Sequence, residues 1–393
     1  MYKVFSCFLY ITVFSISLFC TNRAEKRLNK KKKHGFVLYS VIAVSILCLA
    51  ASLRDIEVGS DTIRYYEYYE TALGYSSFKN YYSRFQIQGV EIGYLFFCFV
   101  LSRLHLPVEF MSFILEALIV VPVFFYALKK RNIRPAWTYM AVFIFVFYNV
   151  SYNATRQLVA LSFLLLAYYS LIEKGKLIPC ILYSALALSF HRSAFIGIVF
   201  IIIGVIYKNI KISVLRQIGL LCGFIVLALS PFYFDRIFDL LYSLGMISNR
   251  NSFYMEVFTG TTGNSMFEGL GINGYASILF RVLFLILPFI FLYKSKEMLS
   301  DDAKAVTVIV IIGVVFYASA ALAFNTIHIY RITMYSEIFW IPYFARLYTA
   351  NSKKGGMYKV NIRNIIFVFF LFAYWYLTFI VFNYHQTSNY FMI

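Results

Sequence analysis

Apolar residues fall in long runs along the chain, at about 4–20, 36–52, 110–128, 135–150, 158–172, 177–190, 194–207, 218–234, 276–293, 305–324, 332–347 and 364–382. The runs lack the period-two alternation of barrel strands. In lipid a backbone must pair its own polar groups, so each run predicts a helix. Several are shorter than the roughly 20 residues that cross a bilayer, so their helices extend into flanking polar residues. Pro122, Pro179, Pro231, Pro288 and Pro342 are expected to kink or bound them. One further stretch, Glu91–Leu104, contains Glu91 and Arg103 and runs into His105-Leu106-Pro107. It predicts a short re-entrant or interfacial helix that does not cross. The expected fold is an all-α polytopic membrane protein with about 12 transmembrane helices plus that short one, both termini external. It is read as one integral membrane domain, 1–393, with external loops 53–109 and 235–275.

Composition narrows the class. The chain is 61% hydrophobic with only 14% charged residues, which a soluble globule does not tolerate. Lysine is clustered in particular loops: Arg23 to Lys33, Lys129–Arg134, Glu173–Lys176, Lys208–Arg216, Lys294–Lys304 and Ser352–Arg363. By the positive-inside rule these loops are cytoplasmic. All fall on one side only if Glu91–Leu104 does not cross. The net charge of +18 follows from this topology and from contact with anionic lipid, so no nucleic-acid partner is needed. The first segment carries Lys3 and an apolar stretch. No small-residue cleavage site precedes Thr21, and the strong charge follows the stretch, so it is read as a span and not as a signal peptide.

Cys7, Cys20, Cys48, Cys98, Cys180 and Cys222 lie within apolar segments and are not spaced as metal ligands, which makes them packing residues. There is no P-loop and no GxGxxG motif, so neither nucleotide-driven transport, nor a cofactor, nor a metal is expected.

The loops on the other side carry arginine: Arg54, Arg64, Arg84, Arg103, Arg156, Arg192, Arg236, Arg250, Arg281 and Arg331. A single external Arg is best explained by pairing with Asp or Glu, or by snorkelling to head groups. Arg at the outer ends of several spans points to an anionic substrate, because its planar fork grips phosphate and keeps its charge in a dry site. Four clusters stand out. Arg54 to Thr62, followed by Arg64-Tyr65-Tyr66, sets Gly59 where a tight turn lets Asp61 and Arg54 converge. Asn153-Ala154-Thr155-Arg156-Gln157 starts an apolar run with an Arg, and its glycosylation sequon is read as incidental. His191-Arg192-Ser193 joins two spans and leaves an imidazole at the membrane boundary, either as a cap or as a titrating base. His328-Ile329-Tyr330-Arg331 leads into another span, with Glu337 deeper in it. Glu116 and Glu337 lie at membrane depth and need partners. The Gly-rich, aromatic loop Asp235–Tyr275 reads as a lid or as an unconstrained connection. Tyr65, Tyr66, Tyr68 and Tyr69 form a cluster whose faces suit sugar rings.

In order along the chain, Arg54…Gly59-Ser60-Asp61-Thr62…Tyr65, Glu91-Ile92-Gly93-Tyr94, Arg156-Gln157-Leu158-Val159-Ala160 and Ser189-Phe190-His191-Arg192-Ser193-Ala194 resemble the EpsG family of exopolysaccharide-synthesis proteins. That family is related in role to the Wzy polysaccharide polymerases. The resemblance runs from about residue 1 to 350. Arg192 departs mildly from the Lys or other polar residue expected there.

The resemblance implies a multi-pass glycosyltransferase of the bacterial cytoplasmic (inner) membrane. It would transfer a glycan held on undecaprenyl pyrophosphate to the next lipid-linked unit, with a chain-length regulator and a flippase as companions. Its implied catalytic residues are Asp61, His191, Arg156 and Arg331. Asp61 is preferred over His191 as base, and Arg54, Arg156 and Arg331 neutralise the leaving pyrophosphate. Arg54, Arg64, Tyr65, Gln157, Arg192 and His328 are the implied substrate-binding residues. Asp61 and His191 are expected in one external site. A flippase or exporter of the same lipid-linked unit, a glycan ligase and a membrane acyltransferase are the competing classes. The acyltransferase is disfavoured because the only cytoplasmic His, His34, lies in a Lys run.

Overall fold

The computed structural model describes residues 2–86, 88–209, 271–292, 300–323, 327–349, 353–354, 357–358, 361–383 and 386–390. The described chain is helical apart from a hairpin of two-residue strands, Lys353–Lys354 paired with Met357–Tyr358. The helices are α1 (Tyr2–Asn29), α2 (Lys33–Ser52), α3 (Thr62–Leu73), α4 (Phe78–Gln86), α5 (Ile92–Ser102), α6 (Val108–Lys130), α7 (Ala136–Val146), α8 (Tyr148–Ser151), α9 (Thr155–Tyr168), α10 (Leu177–Phe190) and α11 (Ala194–Asn209). They continue with α12 (Gly271–Leu292), α13 (Asp301–Ala323), α14 (Ile327–Glu337), α15 (Trp340–Phe344) and α16 (Ile362–Trp375). The expected span at 218–234 and the loop from 235 to 270 lie outside the described residues.

Among the described residues, five helical segments are long and apolar enough to cross a membrane: Lys3–Asn29, Lys33–Ser52, Val108–Lys130, Thr155–Glu173 and Ile362–Val381. Two of them end in a π-turn, Tyr169–Glu173 and Tyr376–Val381, which lengthens an apolar helix without a break. Large apolar side chains such as Phe8, Val41, Ile178, Leu182 and Phe369 are exposed on the outer faces. Water would penalise that exterior and lipid does not. The chain is a multi-pass membrane protein.

Contacts group the chain into two compact units, Met1–Ile198 with Phe344–Ile393, and Val199–Tyr343. In the first unit the basic loops meet at one end. Arg131 Nε donates to Asn29 Oδ1 at 3.0 Å, and the Ala136 N–H donates to Glu25 at 2.7 Å. Lys130 pairs with Glu173 at 2.6 Å, and Arg134 donates to the Arg346 carbonyl at 3.2 Å. The opposite end holds the residues near both termini. There the Tyr390 N–H donates to Ser6 Oγ at 2.7 Å, and the Gly59 N–H donates to the Gln386 carbonyl at 3.3 Å.

Between α2 and α6 the chain makes an excursion of three short helices that stays at this second end. The Asp61 N–H bonds Asn153 where the excursion begins, and Tyr69 donates to the Leu106 carbonyl at 2.7 Å just before α6. Arg103, after α5, donates to the Ala72 carbonyl of α3 at 2.5 Å. With 11 residues, α5 is about 16 Å long, roughly half the hydrocarbon thickness. The contacts at its two ends keep the excursion at this end, and α6 runs from there to the basic one.

In the second unit the buried Glu337 of α14 finds its partner in Arg281 of α12, at 2.7 Å. Thr333 adds a hydrogen bond at 3.1 Å, and the guanidinium lies 3.9 Å from the centre of the Tyr317 ring. A charge in lipid is tolerable when it is paired in this way.

This geometry predicts labelling in a cysteine-free background. Single cysteines at Lys31 and Lys129 should react with a membrane-impermeant thiol reagent only after permeabilisation. One at Arg64 should react in intact cells. Labelling of the Lys129 position in intact cells would contradict the arrangement.

Candidate active site

The short helices α3 to α5 place a carboxylate beside an arginine and a histidine from distant parts of the chain. Glu91 immediately precedes α5 as its N-cap, yet its side chain makes no bond to its own helix. Instead Oε2 accepts a salt bridge from Arg156 Nη1, in the first turn of α9. Oε1 accepts from His191 Nδ1 at 2.8 Å and from the Arg192 N–H at 3.3 Å. The Arg156 guanidinium also lies 5.5 Å from the centre of the Tyr94 ring.

Gly93 makes this convergence possible. A β-carbon there would sit 2.5 Å from the Ser189 carbonyl oxygen, so only glycine lets α5 and the end of α10 touch two residues before His191. Phe97 packs on Phe190 one turn further along, with ring centres 6.1 Å apart.

The electrostatics follow from this packing. Burial alone would raise the Glu91 carboxyl. The hydrogen bond from His191 and the charges of Arg156 and His191 outweigh it and pull the group down to about 2. Glu91 is therefore ionised at physiological pH, and an ionised carboxylate only accepts. The proton on the shared bond therefore belongs to His191 Nδ1, and in the neutral form of the ring Nε2 holds the lone pair.

The other flank is built on Asn153. Its Oδ1 accepts the Asp61 N–H at 3.4 Å, and its carbonyl accepts the Tyr65 hydroxyl at 2.8 Å. Gly59 has φ +97°, and a β-carbon there would lie 2.8 Å from Asn153 Oδ1, so the expected turn at Gly59 is present and presses against Asn153. Asp61 then caps α3. Asp61 is thus tied to Asn153, three residues before Arg156 in the chain, and Arg156 is tied through Glu91 to His191.

The other candidates fall in different places. Arg54 is buried, stacks 4.3 Å from the centre of the Tyr152 ring and donates to the Ala51 and Val58 carbonyls. Its guanidinium shapes the loop after α2. Tyr65, Tyr66 and Tyr69 are buried, and Tyr68 packs edge-on against Phe85 and Tyr94, so these ring faces serve packing and do not form an open sugar platform. The cause is the amphipathic register of α3, which turns these rings inward. Gln157 is buried beside Arg156, while the side chains of Arg64 and Arg192 are exposed. Arg331 is exposed on α14 in the second unit, and the His328 side chain lies outside the described residues. Glu116, the other carboxylate at membrane depth, accepts from Ser151 at 2.9 Å. Asn153 is buried, which removes its sequon from use.

Sequence reasoning missed Glu91 as a site residue. The signal was present, since an ionisable group opening an 11-residue apolar helix needs a partner as much as Glu116 or Glu337 does.

The family model of the EpsG family matches residues 37–392, nearly the whole chain. The chain belongs to the EpsG family. This is a Wzy-like polysaccharide polymerase family, and in this EpsG protein the Glu91 cluster draws on three of the four motifs that carry the resemblance. Neither a curated protein nor a solved structure matches the chain.

The depressed Glu91 carboxyl has a measurable consequence. A lowered native value contributes stability above the ordinary carboxyl value of 4.5, and that stability is lost as pH falls towards about 2. Glu91→Gln should destabilise the purified protein by about 3 kcal/mol above about pH 5. This is the low end for a buried pair, because Arg156 and His191 remain 23% and 24% exposed. The difference from wild type should shrink between pH 4.5 and about 2. A melting difference that is independent of pH over that window would contradict the assignment.

Proposed function

We propose that this EpsG protein polymerises lipid-linked oligosaccharide units at the outer leaflet of the bacterial cytoplasmic membrane, building a surface polysaccharide such as O-antigen or exopolysaccharide. In this reading the basic end is cytoplasmic, the Glu91 end is external, and the chain makes twelve crossings, as the positive-inside pattern suggests. The observation that carries the proposal is the convergence of Arg156 and His191 on one carboxylate at the end opposite the lysine-rich loops.

The chemistry needs a base and a counter-charge. The donor glycan is joined through its anomeric carbon to undecaprenyl pyrophosphate. A sugar hydroxyl of the acceptor unit attacks that carbon, and the bond to the pyrophosphate oxygen breaks. His191 Nε2 takes the hydroxyl proton, the role its tautomer suits. The electron pair leaves on the pyrophosphate, where the Arg156 guanidinium offsets the developing charge. Glu91 orients both side chains, and the imidazolium that forms is stabilised by the carboxylate on its other nitrogen. The geometry favours His191 over Asp61 as base, because His191 has an orienting partner of the kind a base requires. Asp61 is assigned to the acceptor side, with the buried Asn153 accepting its N–H.

Deletion of the gene should leave single repeat units on the surface and no long-chain ladder on a glycan gel. Loss of all surface glycan would indicate a flippase, and free polymer a ligase. His191→Ala should reduce polymerisation about 10²- to 10⁴-fold and Arg156→Ala about 10²- to 10³-fold. Arg156→Lys should retain part of the activity, since it keeps the charge and loses the fork. Normal ladders from His191→Ala and Arg156→Ala at wild-type protein levels would end the proposal.

A further inference from the structure

The Glu91 carboxylate is held as a bound anion would be. Its donors come from two other elements: the Arg156 guanidinium from the start of α9, and the His191 ring nitrogen and Arg192 N–H from the turn after α10. It forms no cap bond in α5, so its position serves those donors and not its own helix. The chain just before it turns through Gly89 at φ +68°. Arg156 also has capacity to spare, since Glu91 is bonded through Nη1 and the side chain keeps 23% of its surface open. A guanidinium with one nitrogen on a carboxylate and part of its surface open can receive a second anion before it releases the first.

We propose that Glu91 is the resting occupant of a pyrophosphate seat and sets its selectivity, so that substrate binds by exchanging one anion for another. The polymerase reading supplies the source of that pyrophosphate, and the inference rests on it for that point alone. An incoming phosphate oxygen meets the part of the Arg156 side chain left open first. Glu91 then gives up Arg156 and keeps His191.

The exchange has a physical logic in a membrane. Without Glu91, a guanidinium beside the lipid surface would attract any anionic head group, and phospholipids are in large excess. A phosphodiester head group carries one negative charge and gains nothing over the carboxylate it must displace. A pyrophosphate carries more charge and presents several oxygens to the fork, so it wins the exchange. Glu91 therefore lowers affinity for all anions and lowers it most for single charges. Removing its charge should tighten anion binding while slowing turnover, because His191 loses the partner that orients it.

The test is binding to the purified full-length protein in neutral detergent. The probes are farnesyl pyrophosphate, inorganic pyrophosphate as the tail-free arm, and short-chain phosphatidylglycerol as the single-charge competitor. Wild type should prefer farnesyl pyrophosphate to phosphatidylglycerol at least about tenfold. Glu91→Gln should bind farnesyl pyrophosphate about tenfold more tightly than wild type and lose most of that preference. Arg156→Ala should abolish binding in both backgrounds. Inorganic pyrophosphate should follow the same order if the phosphates are what is recognised. Unchanged or weaker binding by folded Glu91→Gln would overturn the inference. If that variant does not fold, equal binding of the two lipids by wild type overturns it, and the tenfold preference with Arg156 dependence upholds it. A wild type that shows this selectivity yet polymerises no lipid-linked units would sink the polymerase reading and leave the seat standing. Polymerisation without tighter binding by Glu91→Gln would do the reverse.

Discussion

A single carboxylate in a dry place organises the outer end of the first unit. Arg156 and His191 each arrive at the end of an apolar segment, where an unpaired charge or an unoriented imidazole would be costly or idle. Glu91 answers both demands at once. Its two oxygens are shared between the guanidinium, the imidazole and a backbone N–H, and the arrangement is neutral enough to persist at the membrane boundary. The short helices α3 to α5, the glycine contact at Ser189 and the Asn153 turn then read as the scaffold that brings this carboxylate into position.

The same logic separates the two kinds of arginine in the chain. Arg54 and Arg281 are buried, stacked on aromatic rings and paired within the fold, so their charges hold helices and loops together. Arg156 keeps part of its surface beside a carboxylate, which suits a charge that meets a ligand. Residue type alone does not distinguish these roles. What separates them is exposure: Arg281 is 2% exposed and Arg156 is 23% exposed.

Much of the fold was legible in the sequence because lipid imposes simple rules. Most of the apolar runs correspond to helices, the basic loops of the first unit meet at one end, and Glu91–Leu104 holds a short helix, Ile92–Ser102. The site was legible in its parts and not in its pairing. Asp61, Arg156 and His191 were readable as polar residues at span ends, and the pattern of the family motifs pointed to the same positions. Glu91 was missed because its partners lie 65 and 100 residues away, and nothing local in the sequence records that contact. The tyrosines of α3 were misread for a related reason. A run of rings in a loop looks like a binding platform until the helical register shows which faces are buried.

The central claim is that Glu91, Arg156 and His191 act as one unit. A double-mutant cycle on polymerisation rate, with lipid-linked repeat units and purified protein, tests it most directly. The account predicts that Glu91→Gln adds almost no further loss once His191→Ala is present, because the carboxylate acts through the ring it orients. Losses that multiply, as for independent residues, would contradict it.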